Sequence, residues 1–230
     1  MENLEIMENK NAEEIIQWAG EKFKDKVALA SSFGAEDVVL IDMITKFAPI
    51  IKIFTIDTGR LPQETYDIMD KIKVKYNISI ISFFPDNKSV EKMVSEYSFN
   101  LFYQNIELRH LCCNIRKVEP LNRALKNLSA WICGLRREQA ITRTDIKKIE
   151  IDIKHNSIFK INPIVDWTEK QIWEYIKKNN VPYNILHDKG YPSIGCAPCT
   201  RAINPGEDIR AGRWWWESPD SKECGLHSSK

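Results

Sequence analysis

The chain has 230 residues, of which 43% are hydrophobic and 28% are charged, and its formal net charge at pH 7 is +1. This apolar content supplies a substantial core, which excludes a chain that is disordered throughout. The near-neutral charge argues against broad nucleic-acid binding, which needs a basic surplus, and no stretch of the sequence approaches the ~18 uncharged apolar residues of a membrane span.

Strand-like and helix-like segments alternate from the N-terminal region to Leu135. Short apolar runs predict strands at "KVALA", "IIKIFTID", "ISIISFF" and "AWICGL". Segments with apolar residues at helical spacing precede or separate them, among them "NAEEIIQWAGEKF" and "EDVVLIDMITKFA". This alternation predicts an α/β fold with a parallel sheet flanked by helices.

The rest of the chain is less regular. "IEIDI" and "SIFKI" look like short strands, and Thr168 and Gln171 of "DWTEKQIWEYI" fit the capping box of an amphipathic helix. After Val181, Gly, Pro, Ser and aromatic residues dominate and no period is visible. We predict an α/β domain over residues 1–180 and an irregular C-terminal segment over residues 181–230, within one folding unit.

The loop "SSFGAED" follows the first predicted strand, at the edge where open parallel sheets bind ligands. Ser31 and Ser32 supply hydroxyl groups, and Gly34 lets backbone N–H groups approach an anion at the start of the next helix. The loop lacks a GxxxxGK[ST] pattern, which argues against Walker-type ATP hydrolysis. A phosphate-binding loop and an ordinary serine-capped turn are equal alternatives on this pattern.

The stretch "IDTGRLPQET" ends the second predicted strand at the same edge of the sheet. An adenosine would fit between the two loops, with its base at the backbone of Ile56. The alpha/beta domain is therefore predicted to bind a nucleotide, although a simple turn also explains this stretch.

Four of the six cysteines form two pairs, Cys112 with Cys113 and Cys196 with Cys199. The acidic start "MENLEIMENKNAEEI" lacks a signal-peptide pattern, so we expect a cytoplasmic protein whose cysteines bind metal or act in catalysis. A structural zinc ion, a 4Fe–4S cluster and four unrelated core cysteines are the alternatives. Adjacent side chains diverge, which favours the separate irons of a cluster over one zinc ion. Cys133, in an apolar strand, is interpreted as a core residue.

Basic residues accumulate near the same segments. Singly, each would be a solvated surface charge, but together they indicate an anion site, because arginine matches the oxygens of sulfate or phosphate. These residues are Arg116, Lys117, Arg136, Arg137, Arg143, Arg210 and Arg213.

A lone cysteine, Cys224, occurs in "SKECGLH" near the C-terminus. A thiol in such a position is either incidental or reactive, since the ends of a chain are seldom part of the core. Lys222, His227 or the arginine residues would stabilise its thiolate, which is the nucleophilic form.

The motifs taken together resemble those of a known family. "SSFGAED", "IDTGR", the CC pair, "GLRREQ", the CxxC pair, "RAGRWWWE" and "KECGLH" are similar, in this order, to motifs of the assimilatory adenylyl-sulfate reductases. These enzymes are the iron–sulfur branch of a family acting on adenosine 5′-phosphosulfate (APS) or its 3′-phosphorylated form (PAPS). The resemblance extends from about Val27 to His227 and implies an adenine-nucleotide α-hydrolase-like fold.

The resemblance also implies an activity, a cofactor and partners. The activity is the thioredoxin-dependent reduction of APS to sulfite and AMP in sulfate assimilation, through an S-sulfocysteine on the catalytic Cys224. The cofactor is a 4Fe–4S cluster on Cys112, Cys113, Cys196 and Cys199. The partners are APS and reduced thioredoxin or a similar dithiol protein, with no nucleic acid and no membrane.

The resemblance further implies a set of substrate-binding residues. The basic members of this set would neutralise the charge of a dianionic substrate that a thiolate has to approach. The set is Ser31, Ser32, Gly34, Asp37, Ile56, Lys117, Gly134, Arg143, Arg210, Arg213 and His227.

Three alternative functions stay open on the sequence. The first is activity on PAPS as well as on APS. The second is an ATP pyrophosphatase of the same fold, although the loop lacks the SGGxDS-type glycine pair of those enzymes. The third alternative is a zinc-stabilised binding module without catalytic activity.

Overall fold

Six short strands form one mostly parallel sheet in a computed structural model, which describes residues 4–139 and 143–218. Across the sheet the strands lie in the order β3-β2-β1-β4-β6-β5. Their bounds are β1 (Val27–Ala30), β2 (Lys52–Ile56), β3 (Ile80–Phe83), β4 (Ala130–Ile132), β5 (Ile149–Asp152) and β6 (Ile158–Ile161).

The pairing confirms the predicted α/β fold with one addition. β1 pairs in parallel with β2 and with β4, and β4 pairs in parallel with β6. β5 runs antiparallel to β6. Residues 153–157 link these two strands, and so short a link cannot make the crossover of a dozen or more residues that a parallel pair needs.

Three helices fall in the segments quoted above as helical, at Ala12–Phe23, Ala35–Phe47 and Glu169–Lys178. Two begin with the capping box that their sequences favour: Asn11 with Glu14, and Thr168 with Gln171 as predicted. Each cap stabilises its helix by about 1 kcal/mol. The helices are α1 (Leu4–Met7), α2 (Ala12–Phe23), α3 (Ala35–Phe47), α4 (Gln63–Tyr76), α5 (Asn87–Glu96), α6 (Ile106–Cys113), α7 (Glu119–Leu125) and α8 (Glu169–Lys178).

The chain divides into two compact units. The first comprises Met1–Thr55, Glu64–Ile81 and Asn127–Ile185, and the second comprises Ile56–Gln63, Ser82–Lys126 and Leu186–Lys230. The domain boundary at residue 180 that we expect from the sequence stays a prediction.

The core of the first unit is aliphatic. Ile16 of α2, Leu29 of β1, Val39 of α3 and Ile132 of β4 are fully buried within one cluster, and α3 contacts both α2 and α8. Burial of each such side chain contributes roughly 1.5–3 kcal/mol. Cys133 is also buried, as predicted for a core residue.

The second unit has a different core, in which the paired cysteines pack with Met93, Leu101, Phe102 and Trp214. Between α6 and α7 the chain forms a π-helical turn over Asn114–Val118, and Pro120 lies in the first turn of α7. Proline fits there because the first helical N–H groups have no acceptor within the helix. Among the described residues no helix has the length and apolar character to cross a bilayer.

Candidate active site

The first candidate region lies where the strand order reverses, between β1 and β4. Open α/β sheets bind their ligands at this position, beyond the carboxyl ends of the strands. The loop at Ser31–Gly34 follows β1, and Gly134 follows β4 by two residues. The topology therefore brings two predicted binding segments to one edge of the sheet.

A carboxylate organises the loop after β1. Asp37 Oδ2 accepts hydrogen bonds from the Ser32 backbone N–H (2.6 Å) and the Ser32 hydroxyl (2.8 Å). Ser31 Oγ accepts from the backbone N–H of Phe33 (3.1 Å), a buried residue with a φ of 61°. These bonds hold the chain in a left-handed conformation that a bulky residue seldom adopts, which is a feature of functional loops.

Gly134 allows the Asp37 carboxylate to occupy its place. A Cβ atom on Gly134 would lie 2.4 Å from Asp37 Oδ1 and 3.0 Å from Glu36 Cβ. Burial raises the pKa of Asp37 to about 6, although the hydrogen bonds from Ser32 act in the opposite direction. The close approach explains why a glycine stands at this position.

The second candidate region is a cavity in the second unit, lined by the four paired cysteines. Its volume is about 340 Å³, part of it open to solvent. Helix α6 ends at Cys113, and Cys196 and Cys199 bound a short 3-10 turn. The other lining residues are Arg60, Phe102, Arg109, Arg116, Lys117, Pro198 and Trp214.

The cavity combines thiols with cations. Burial acts to raise the pKa of Cys196, but Lys117, a hydrogen bond with the Thr58 hydroxyl (3.2 Å) and Arg213 outweigh it, so the pKa is lowered. Burial and the neighbouring Cys196 raise the pKa of Cys199 to about 12. Cys196 is therefore the member of this pair that takes the thiolate form more readily.

Two buried N–H groups at the cavity lack an acceptor, which bears on whether an anionic cofactor fits there. Arg116 Nε and Trp214 Nε1 have no hydrogen-bond partner among the residues that the structure describes. A buried donor without an acceptor costs about 1–3 kcal/mol. Both residues line the cavity, so a group with acceptor sulfur atoms, such as a thiolate-bound iron–sulfur cluster, fits these donors.

The four paired thiols lie at one cavity, and all of them are free. Within residues 4–139 and 143–218, no group of three or more His, Cys, Asp or Glu side chains is placed to hold a metal ion. All four thiols line the cavity, and no disulfide joins the five cysteines of the described chain.

The other predicted binding residues are distributed over both units. Ile56 is half-buried at the end of β2, and Arg143 is buried and donates to Gln139 Oε1. Arg210 is half-buried. The guanidinium of the buried Arg213 lies against Gly195, and a Cβ atom added to Gly195 would be 2.5 Å from Arg213 Nη2. Cys224 and His227 lie outside the described residues.

Several neighbours of the cysteines were not predicted from the sequence. Arg109 lies on the same helix as the adjacent pair, and its spacing of three and four residues from Cys112 and Cys113 was a usable signal. Thr58, in the stretch "IDTGRLPQET" after the second strand, contacts Cys196. Phe102 carries no signal in the sequence that places it at the cavity.

Comparison with known proteins assigns this arrangement to a family. Residues 26–202 match the model of the phosphoadenosine phosphosulfate reductase domain. An adenosine 5′-phosphosulfate reductase of Burkholderia cepacia is 53% identical over 203 residues, which cover 88% of this chain and 81% of that protein. An Allochromatium vinosum protein of the same name is 50% identical over 203 residues, or 88% and 79% of the two chains.

Solved structures agree with this assignment. The crystal structure of a phosphoadenylyl-sulfate reductase from Candida auris, a phosphate complex, has a TM-score of 0.74 and 30% identity, covering 86% of this chain and 93% of that chain. An FMN adenylyltransferase of Candida glabrata, 14% identical with a TM-score of 0.56 over 89% and 71% of the chains, shares the fold alone. The expected adenine-nucleotide α-hydrolase-like fold is confirmed, and the chain belongs to the phosphoadenosine phosphosulfate reductase domain family.

Proposed function

We propose that this protein reduces APS to sulfite and AMP in sulfate assimilation, in the cytoplasm, with thioredoxin or a similar dithiol protein as the electron donor. The observation that carries the choice of substrate is the 53% identity, over 88% of the chain, to a protein named for APS.

The proposed chemistry has two steps. The Cys224 thiolate attacks the sulfur of APS, forming an S–S bond to the sulfuryl group while the bond from sulfur to the phosphate oxygen breaks and AMP leaves. A thiolate of the dithiol protein then attacks the Cys224 sulfur and expels sulfite. The second thiol of that protein resolves the mixed disulfide, so the dithiol supplies both electrons and Cys224 returns to its thiolate form.

The substrate-binding residues are assigned for each unit by itself. In the first, Ser31, Ser32 and Gly34 would bind the nucleotide, and Asp37 would hold that loop in shape through its two bonds to Ser32. Gly134 would keep space for the carboxylate. Arg143 would neutralise charge on the phosphosulfate.

In the second unit, Ile56 would meet the adenine through its backbone. Lys117, Arg210 and Arg213 would lower the electrostatic cost of bringing a thiolate to a dianion. His227 would steer the substrate or the chain around Cys224.

A 4Fe–4S cluster would be held by Cys112, Cys113, Cys196 and Cys199. Arg116 Nε and Trp214 Nε1 would donate to its sulfur atoms, which accounts for two buried donors without partners in the described chain. When bound, the cluster would supply an electrostatic and structural anchor, since the dithiol already delivers both electrons.

PAPS is the second candidate substrate. The matching family model and the Candida auris structure, 30% identical to this chain, both carry the PAPS name. The APS-named relatives are more similar, at 50% and 53% identity. The ratio of kcat/KM for the two nucleotides decides between them, and a ratio favouring PAPS would replace APS in the proposal.

The decisive experiment traps the covalent intermediate. The purified protein is incubated with ³⁵S-labelled APS without any thiol, digested, and the labelled peptide is identified by mass spectrometry. We expect one SO₃ group on the peptide that contains Cys224 and a stoichiometric release of AMP. Label on another residue would remove Cys224 from the mechanism, and pyrophosphate release from ATP would favour the pyrophosphatase alternative.

Substitution of the nucleophile gives an independent check. Cys224→Ser should abolish sulfite formation, because a hydroxyl group is a far weaker nucleophile at neutral pH. Binding of APS should persist, as measured by equilibrium dialysis. Sulfite production by this variant at a wild-type rate would contradict the assignment.

A further inference from the structure

A buried arginine on the cysteine-bearing helix contacts both a thiol and a carboxylate. Arg109 precedes Cys113 by four residues on α6, so the two side chains share one face of the helix. Both residues line the cavity. Burial acts to lower the pKa of Arg109, but the carboxylate of Glu217 and a hydrogen bond with the Cys113 thiol raise it. The guanidinium is therefore a charged donor to one of the four paired thiols.

Glu217 balances the charge of this donor. Arg109 Nε donates to Glu217 Oε1 (2.9 Å), and Arg109 Nη2 donates to Glu217 Oε2 (2.8 Å). The exposed fractions of the two side chains are 0% and 3%. The ring centroid of Trp214 lies 4.8 Å from the guanidinium. Because a two-bond pair fixes orientation as well as distance, Arg109 is held in place at Cys113 while the pair carries no net charge.

The charge balance matters for a cofactor that is able to take up an electron. An iron–sulfur cluster becomes more negative when it is reduced, so a positive charge or a hydrogen-bond donor at a ligand sulfur favours the reduced form. Charges interact more strongly in a buried site than in water. Arg109 without its partner would make the cluster easier to reduce, and the carboxylate of Glu217 offsets that effect.

We propose that Arg109 is a positioning residue for the cluster ligand Cys113, and that Glu217 cancels its charge so that the cluster is held without becoming easier to reduce. This role rests on the proposed function, because it needs a 4Fe–4S cluster on the paired cysteines. It gives a physical reason why the cluster stays out of the electron transfer, so that both electrons of the dithiol protein go to sulfur.

The test uses Glu217→Gln, which keeps the shape of the side chain and removes its charge. The neighbouring Trp216 packs on Tyr103 and Phe102, with ring centroids 4.5 and 6.2 Å apart, so contacts other than the ion pair hold this segment. The double variant Arg109→Gln/Glu217→Gln removes both charges and leaves two amide groups that hydrogen-bond to each other.

A solvent-exposed ion pair in the same unit supplies the matched control. Glu119 accepts two hydrogen bonds from Arg123, of 2.6 and 3.1 Å, and the side chains are 43% and 45% exposed. Neither residue lines the cavity. Glu119→Gln therefore removes the same charge from the same kind of pair, at a place where water screens it.

Two quantities are measured on the full chain with its cysteine site loaded with iron: the iron content per chain and the ratio of reduced to oxidised cluster at a fixed potential. Photoreduced deazaflavin supplies one electron to the cluster through mediator dyes, and EPR counts the reduced form. We expect Glu217→Gln to raise this ratio threefold or more, a shift of about 28 mV for one electron, with unchanged iron content. The double variant and Glu119→Gln should stay within threefold of wild type.

Three results would overturn the proposed role. Equal ratios in Glu217→Gln and the wild type would show that the carboxylate does not act on the cluster. A rise that persists in the double variant would show that altered packing, and not the charge of Arg109, is the cause. Loss of iron from Glu217→Gln would show that the pair supports the folding of the cavity only. If the wild-type chain binds zinc or no metal at its cysteines, the proposed cofactor itself fails, and metal analysis reveals that outcome before any reduction.

Discussion

Replacing Gly134 by alanine tests the arrangement of the loop after β1 most directly. The added Cβ would meet Asp37 Oδ1 at 2.4 Å, so the carboxylate has to move away. Its movement breaks two hydrogen bonds from Ser32, of 2.6 and 2.8 Å. The lost bonds and the steric overlap together should lower the free energy of unfolding by about 2–4 kcal/mol.

The assay is urea unfolding of Gly134→Ala and the wild type. Gly34→Ala is the control in the same loop, because its Cβ would meet no atom closer than 3.7 Å and its φ of −70° suits any residue. We expect the control to change stability by less than about 1 kcal/mol. Equal losses in both variants would refute the steric reasoning.

A double-mutant cycle then identifies the clashing partner. If the overlap with Asp37 dominates, Asp37→Ala should absorb part of the loss caused by Gly134→Ala, with a coupling energy of at least about 1 kcal/mol. Additive effects of the two substitutions would show that Glu36 Cβ, at 3.0 Å, is the main obstacle.

Three further predictions concern charge and the cysteines. Asp37→Asn should gain up to about 3 kcal/mol of stability relative to wild type as pH rises from 4 to 7, measured by urea unfolding at several pH values. Cys112→Ser should lose the iron and the visible absorbance of the cluster, whereas Cys133→Ser, outside the cavity lining, should keep both. Lys117→Ala should lower kcat/KM for APS by about 10- to 100-fold, as expected for one charge-assisted contact, whereas the exposed Lys126→Ala should not.

The sign of the pH effect follows from the raised pKa of Asp37, about 6 in the folded chain against about 3.9 when unfolded. Between these values the unfolded chain has lost the proton that the folded chain still binds, so wild-type stability falls as pH rises and levels off above pH ~6. An unchanged difference between wild type and Asp37→Asn would contradict this. Retained iron in Cys112→Ser, or equal kinetics of the two lysine variants, would contradict the other predictions.

Much of the fold was predictable because it depends on local patterns. Buried parallel strands are continuous apolar runs, so β1 and β4 stand out in the sequence. The capping box at Thr168 needs only two side chains three residues apart. The antiparallel direction of β5 was not predicted, because it depends on the length and path of the turn before β6.

The candidate site, like the fold, has features that local sequence patterns predict and others that depend on how the elements pack. The two cysteine pairs, and the serine and glycine residues after a buried strand, were recognisable from residue type and spacing alone. Three contacts could not be predicted in this way: Thr58 with Cys196, Gly134 with Asp37, and Arg109 with Glu217. These residues are far apart in the chain, and their contacts arise from how the elements pack, which no local pattern records.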